Sequence, residues 1–394
     1  LVPQYKPYKK LRMPKILKIG IVALASALLV VFGVVFGGAW YISDILETDA
    51  LVIDRSEDAL DLRVVGVSDG RVTLAATSET DLDGNWVRDG NWGLAWESGY
   101  AQVGEVISVT TEEVVREFIP SDDIPESGTL AKIEGFGYPS NPLTAHGMAF
   151  EEIQYTSPIG ELDAWLVDGT RSTWAIFVHG KSSNRREALR MLPAVAAEGL
   201  PLLLITYRND EGVPSSEDGY YNYGTSEWED LEGAAEYALS HGAEDLVLVG
   251  YSMGGAIVIS FLYESSIADR VSGVILDAPM IDFGETVALG ASEKGIPGSL
   301  VGLAKWLGGI RFGMDWDAMN YQTRIDELDA PILLFHGDAD RKVPVSSSDA
   351  LAEARSDIVT YVRVADSEHV RAWNSDPEAY EGAVRGFLVG LDGG

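Results

Sequence analysis

The spacing of apolar positions changes several times along the chain, and each change predicts a different kind of element. Residues 19–43 (IGIVALASALLVVFGVVFGGAWYIS) carry no charge and show no polar face. As a helix they would be about 37 Å long, enough to cross a hydrocarbon core of about 30 Å with some tilt. Trp40 and Tyr41 stand at the far end, where an aromatic belt would lie. Residues 44–60 read as a juxtamembrane helix or linker. From 61 to 149 the pattern turns to short β-type runs (LRVVGV, RVTLAAT, ISVTTEEVVREFIP) separated by turn residues, which predicts a small β-rich domain. Gly84-Asn85-Trp86 is echoed by Gly90-Asn91-Trp92. With Trp96, these tryptophans read as that domain's core, or else as an aromatic surface for a sugar, a lipid or a catalytic mouth. Pro/Ser/Gly-rich stretches around 120–128 and 135–142 read as connections.

Over 150–394 strand-like and helix-like runs alternate. EIQYT and ELDAWLV predict a hairpin; WAIFVHG, PLLLITYRND, residues 246–249, VSGVILDAP, PILLFHG and VTYVRV predict buried strands. NRREALRMLPAVAAEG, SEWEDLEGAAEYALSHG (Ser226 as N-cap), the run to about 264 and PEAYEGAVRGFLVGL predict helices. Residues 280–330 interrupt the alternation and predict a helical cap. Such a pattern makes an α/β domain, a mostly parallel central sheet with helices on both faces.

Charge adds orientation. The chain carries a net charge of −32, yet residues 1–18 hold six basic residues (Lys6, Lys9, Lys10, Arg12, Lys15, Lys18) and no acid. Acids follow the apolar span at Asp44, Glu47 and Asp49. The expectation is a single-pass anchor with a cytoplasmic basic tail (1–18) and an extracytoplasmic catalytic domain at the cell membrane. A cleaved signal segment competes, because Gly37-Gly38-Ala39 is small, although the apolar run is long for that role. A body of 23 basic against 61 acidic residues repels nucleic acid. The absence of cysteine rules out disulfides, thiolate nucleophiles and Cys-ligated metals.

The chemistry concentrates at 246–259, LVLVGYSMGGAIVI. A hydrophobic run enters Gly250-Tyr251-Ser252-Met253-Gly254 and a second apolar run leaves it, the context of a strand–turn–helix nucleophile elbow. A serine hydroxyl needs a base, and the base needs an orienting group. In this kind of sheet both lie on loops beyond later strands' carboxyl ends. PILLFHG is followed by Asp338-Ala339-Asp340-Arg341-Lys342-Val343-Pro344, and VTYVRV by Asp366-Ser367-Glu368-His369. The order Ser252, Asp340, His369 suits the elbow; Asp338 is the alternative carboxylate. A tetrahedral intermediate would need two N–H donors, Met253 N–H and one from the loop after WAIFVHG.

G-Y-S-M-G-G, HG-D-A-D-R-K-V-P and the late E-H-V together resemble the α/β-hydrolase superfamily, its prolyl-oligopeptidase-like and dienelactone-hydrolase-like esterase branch and its membrane-anchored bacterial members. The resemblance spans roughly 150–394 and implies the α/β-hydrolase fold. It implies Ser252 as nucleophile, His369 as general base and acid, Asp340 as orienting carboxylate, and the Lys181 N–H, after His179-Gly180, as the second oxyanion donor. The expected activity is hydrolysis of carboxylic esters or thioesters through an acyl-enzyme. The alternatives are a serine peptidase of the same fold and a catalytically silent envelope-binding or scaffold protein. No metal or organic cofactor is implied; the expected partners are a small-molecule acyl substrate and, through the apolar span, the membrane. The cap, with Trp306, Phe312, Met314 and Trp316, would suit an apolar acyl or aryl group. Tyr251, Asn209, Tyr221, Trp306 and Trp316 are the candidate substrate-lining residues. His146 reads as incidental, and His179, His241 and His336 as structural.

Overall fold

The computed structural model describes residues 14–54, 59–82, 84–119 and 124–391. Lys6, Lys9, Lys10 and Arg12 of the expected basic tail lie outside the described residues, as do residues 120–123 of the expected connection. The apolar span forms helix α1 (Lys15–Leu46) and continues as a π-helical turn over Glu47–Leu51, so helix runs well past residue 43. It is the one described helix long and apolar enough to cross a membrane.

The β-rich region closes into a six-stranded antiparallel barrel: β1 (Leu62–Ser68), β2 (Arg71–Ala76), β3 (Trp92–Trp96), β4 (Gly99–Val109), β5 (Glu113–Ile119) and β6 (Leu130–Glu134), in the order β1-β2-β5-β4-β3-β6. Closure removes the free edges that so small a sheet would otherwise expose. Trp86, Trp92 and Trp96 are buried in its core. Arg116 fills one end: its guanidinium donates to the carbonyls of Trp86 (3.1 Å), Arg88 (2.6 Å), Gly90 (3.0 Å) and Gly104 (2.7 Å). The repeated Gly-Asn-Trp turns therefore wrap a buried cation. Burial lowers the Arg116 pKa to about 10, with Asp89 and Glu105 opposing the shift, so it stays charged near neutrality.

The second sheet has eight strands: β7 (Glu151–Ser157), β8 (Gly160–Val167), β9 (Thr173–Val178), β10 (Leu202–Ile205), β11 (Asp245–Tyr251), β12 (Val271–Asp277), β13 (Ile332–Gly337) and β14 (Val359–Val364). Their order is β14-β13-β12-β11-β9-β10-β8-β7, parallel from β9 to β14, with the β7–β8 hairpin antiparallel at the edge. Alternate residues face opposite layers, as the strand period requires. Leu246 and Leu248 pack with α4 (Trp228–Ser240) and α5 (Met253–Glu264); Val247 and Val249 pack with α3 (Leu192–Ala197) and α10 (Pro377–Leu391). The chain leaves β9 toward β10 on one side and returns to β11 on the other. That topological switch point is where open α/β sheets form a crevice.

Two helices differ from the sequence expectation. Over 185–198 the continuous helix becomes a 3₁₀ segment (Arg185–Arg190) and then α3, because Pro193 lacks the N–H that an unbroken helix would use. Ser226 does not cap α4; the buried Glu227 carboxylate instead accepts from Asn222 N (2.7 Å) and Gly224 N (2.9 Å). Short helices α2 (Pro142–His146), α8 (Val345–Ala354) and α9 (Ala372–Ser375) lie in the connections, and the cap comprises α6 (Phe283–Glu293) and α7 (Gly298–Phe312). α7 packs on the end of α1, where Ala39, Ser43 and Leu46 are buried; a side chain at Gly308 would meet Leu46 Cδ2 at 3.1 Å. Arg311 of α7 pairs with Asp44 (2.6 Å), bonds Ser43 and lies over the Trp40 ring (4.2 Å).

Candidate active site

Ser252 sits between β11 and α5 with φ 51° and ψ −115°, a backbone conformation L-residues rarely adopt. Its N–H donates to Asp277 O (3.0 Å), and its carbonyl accepts from Gly255 N and Met280 N (3.0 Å each). The turn closes only because its neighbours lack side chains. A Cβ on Gly250 would lie 2.6 Å from Gly254 O, and one on Gly254 would strike Val178 O of the adjacent strand. The strain thus holds the serine hydroxyl outward at the sheet's C-terminal rim.

Two later loops bring the remaining groups to it. His369, after β14, has Nε2 2.8 Å from Ser252 Oγ and Nδ1 2.7 Å from Asp340 Oδ2. With Nδ1 donating to the carboxylate, Nε2 is free to accept from the hydroxyl. Asp340, after β13, accepts on Oδ1 from Lys342 N (2.8 Å) and Val343 N (2.9 Å), and on Oδ2 from His336 Nε2 as well (3.1 Å). Ser348 Oγ lies 2.7 Å from His336 Nδ1 and fixes that second imidazole in turn. Burial alone would raise the Asp340 pKa. The charge of His369 and the hydrogen bonds from His336, His369 and Val343 N–H outweigh it and hold the carboxyl well below the usual range. Asp338 faces elsewhere, accepting from Asp366 N (2.8 Å) to brace the loop that carries His369.

The loop after β9 abuts the serine: a Cβ on Gly180 would sit 3.1 Å from Ser252 Cβ. Glu187 Oε2 accepts from Gly180 N (2.7 Å), and Tyr207 Oη donates to the His179 and Gly180 carbonyls (2.9 and 3.1 Å). His179 braces this loop between Asp210 Oδ2 (2.8 Å) and the Tyr207 ring. Among the described residues, Lys181 N–H and Met253 N–H donate to no protein acceptor, so both are available to a ligand oxygen. His146 bonds Leu189 O and His241 bonds Tyr237 O, both away from the site.

Two cavities meet at Ser252 and His369. One, about 670 Å³, lies between the sheet domain and the barrel and is bordered by Trp86, Lys132, Glu134, Lys342 and Arg371. The other, about 660 Å³, lies under the cap and is bordered by Ile42, Ile45 and Leu46 of α1 and by Phe283, Val287 and Ile296. The residues expected to line the site do not. Tyr251 is buried behind the elbow beside Arg190, because alternate residues of β11 face the opposite layer. Asn209 is buried and ties its loop to Ser216 and Tyr220. Tyr221 is buried, with its N–H on Leu51 O. Trp306 faces outward from α7, and Trp316 stacks on the outer side of Phe283. The reading of the barrel tryptophans as a possible catalytic mouth has a counterpart in Trp86, which borders the first cavity, but sequence reasoning missed Glu187, Lys132, Glu134 and the end of α1. Only the last left a signal: apolar Ile42, Ile45, Leu46 and Ile53 continue at helical spacing into the stretch read as a juxtamembrane helix or linker.

Comparison with known proteins agrees with this layout. The alpha/beta hydrolase family model matches residues 175–384. A family described as a domain of unknown function (DUF8805) matches residues 63–133, within the barrel region. YfhR of Escherichia coli (strain K12) is 21% identical over 253 residues, 61% of this chain and 81% of its own length. YfhR of Salmonella typhi is 24% identical over 281 residues, 65% and 87%. The Pyrococcus furiosus esterase Pf2001 superposes with a TM-score of 0.50 at 21% identity, covering 64% of this chain and 94% of that one, a likeness of fold. The family match extends over more than half of the chain and coincides with the switch-point sheet, so the protein belongs to the alpha/beta hydrolase family and is a hydrolase of that superfamily.

Proposed function

We propose that the protein is a membrane-anchored serine hydrolase that cleaves carboxylic esters or thioesters. One observation carries this reading: the continuous hydrogen-bonded series Ser252 Oγ, His369 Nε2, His369 Nδ1, Asp340 Oδ2 at the rim of the sheet. His369 takes the hydroxyl proton as Ser252 Oγ bonds the acyl carbon. The oxyanion is met by the N–H groups of Met253 and Lys181. His369 then gives its proton to the leaving alcohol or thiol as the acyl bond breaks, leaving an ester on Ser252. Water, deprotonated by His369, attacks that ester; the acid departs and Ser252 regains its proton. Asp340 stays ionised throughout and steadies the imidazolium. α1 is the anchor, and the basic residues before it, with the acids after it, support a cytoplasmic N-terminus and an extracytoplasmic catalytic domain.

A fluorophosphonate probe tests the reading. Stoichiometric labelling of wild type, lost in Ser252→Ala together with at least about 10⁴-fold of the esterase rate, is the expected result. No labelling of wild type would point to a silent scaffold. Faster turnover of aminoacyl-amides than of p-nitrophenyl esters would point to a peptidase. Protease access to the catalytic domain in intact cells tests the orientation.

A further inference from the structure

The two cavities at Ser252 differ in character, and an ester has two ends. Beneath the cap, the wall is mostly apolar, with Ile42, Ile45 and Leu46 of α1 facing Phe283, Val287 and Ile296, although Asp49, Glu293, Lys294 and Arg341 also border it. Toward the barrel, the wall carries Lys132, Glu134, Lys342 and Arg371. Ser252, His369, Lys181 and Lys342 border both, so a carbonyl at Ser252 would have one substituent in each cavity.

The apolar cavity also has an unusual address. Its α1 wall is the last part of the only described helix able to cross a bilayer. Trp40 and Tyr41 are exposed at that end, 44% and 66%, immediately before Ile42 and Ile45. α7, packed on the same end, turns Trp306 (57% exposed) and Ile310 (63%) outward, one turn apart on a single face. Exposed tryptophan and tyrosine at the end of a long uncharged helical run are the residues that settle at a lipid–water boundary. With α1 as the proposed anchor, the cavity would stand at the level of the bilayer surface.

We infer that the substrate is an amphiphile drawn from the membrane: an ester whose acyl chain occupies the cavity between α1 and the cap and whose polar head faces the barrel. This rests on the serine-hydrolase reading above and adds the substrate class and its route of entry. Each methylene buried should raise kcat/KM about threefold to fourfold until the cavity fills.

The test uses the full chain in vesicles of ether-linked phosphatidylcholine, with p-nitrophenyl acetate and dodecanoate, and two substitutions that fill the cavity. Gly290 of α6 borders it, and a Cβ there meets nothing within 4 Å, so Gly290→Leu adds bulk without a clash; Val287→Trp adds more. Wild type should prefer dodecanoate by at least 100-fold in kcat/KM, and both variants should lower that ratio tenfold or more. Dodecanoate held in the protein's own vesicles should react faster than dodecanoate supplied on albumin. Equal preference for the two esters, or a ratio neither variant moves, overturns the inference; equal rates from albumin overturn the bilayer route. Loss of the underlying reading is separately visible, as failure of a short ethyl fluorophosphonate to label Ser252.

Discussion

At Asp340 one carboxylate oxygen is taken by two backbone N–H groups, and the other is shared by two imidazoles. Asp340→Asn should lower kcat about 10³–10⁴-fold, since an amide cannot hold His369 in the needed tautomer. His336 acts through that oxygen, and His336→Gln should cost about tenfold in kcat with little change in KM. The depressed Asp340 pKa also fixes a sign: its stabilisation is complete above its unfolded pKa near 4 and fades as pH falls through the lower folded value. Asp340→Asn should therefore be less stable than wild type at pH 7, by a margin that closes in strong acid. Asp277 has the opposite sense. Burial pushes its pKa up to about 6, against opposing contributions from Arg190 and the Tyr380 hydroxyl, so the folded protein binds the extra proton between about pH 4 and 6. Wild-type stability should fall across that window, and Asp277→Asn should gain on it by up to about 3 kcal/mol in urea titrations at the two pH values. Ser252, His369 and the two candidate carboxylates were legible because motif and strand order restrict them to three loops. The choice of Asp340 over Asp338 was not, since it depends on which carboxylate the turn aims at the imidazole. Ser348 left no trace, because its contact with His336 joins a helix to a strand.

Among the elements, strands and long helices were legible from period alone, and the misses have local causes. Pro193 divides a helix that apolar spacing had joined, whereas the π-turn after α1 takes the helical one of the two readings left open for the juxtamembrane stretch. The barrel was legible as β-structure, but its closure was not. Closure depends on pairing β1 with β6, strands more than sixty residues apart. Of the two readings of its tryptophans, core or aromatic surface, burial supports the first, yet the cation they surround was invisible, since nothing about an arginine in a strand marks it as buried. Arg116→Leu would leave the carbonyls of Asn85, Trp86, Arg88, Gly90 and Gly104 without this donor, and should destabilise the barrel by about 3 kcal/mol or more. Tryptophan fluorescence during denaturant unfolding would report it. At the α1–α7 contact, Arg311→Ala removes ion pairs to Asp44 and Glu47, the bond to the Ser43 hydroxyl and the contact with the Trp40 ring together. Hydrogen exchange over 42–51 should speed up by about tenfold, corresponding to roughly 1–2 kcal/mol.

For the whole molecule, a net charge of −32 sets a background repulsion. Raising sodium chloride from about 0.1 to 1 M shortens the Debye length from about 10 to 3 Å. The thermal midpoint should then rise by several degrees; a fall would show that surface ion pairs outweigh the repulsion. The units were legible as successive stretches of chain, but their meeting at Ser252 was not, because it is made by isolated long-range bonds. Arg190 donates to Val370 O (2.8 Å), beside His369, and to Gly135 O (3.3 Å), just past the barrel; Arg88 of the barrel pairs with Glu368 (2.7 Å). On the other side, Glu47 accepts from Tyr220 Oη (2.6 Å), Ala50 O from Tyr223 Oη (2.8 Å) and Leu51 O from Tyr221 N (2.7 Å), while Asp54 N donates to Ser182 Oγ (2.9 Å). A helix fastened this way is a stanchion, not a leash. On the anchor and activity proposed above, the reaction centre would be held at one set height relative to the lipid headgroups, facing one way, and molecules beyond that narrow stratum would go uncut however abundant they were.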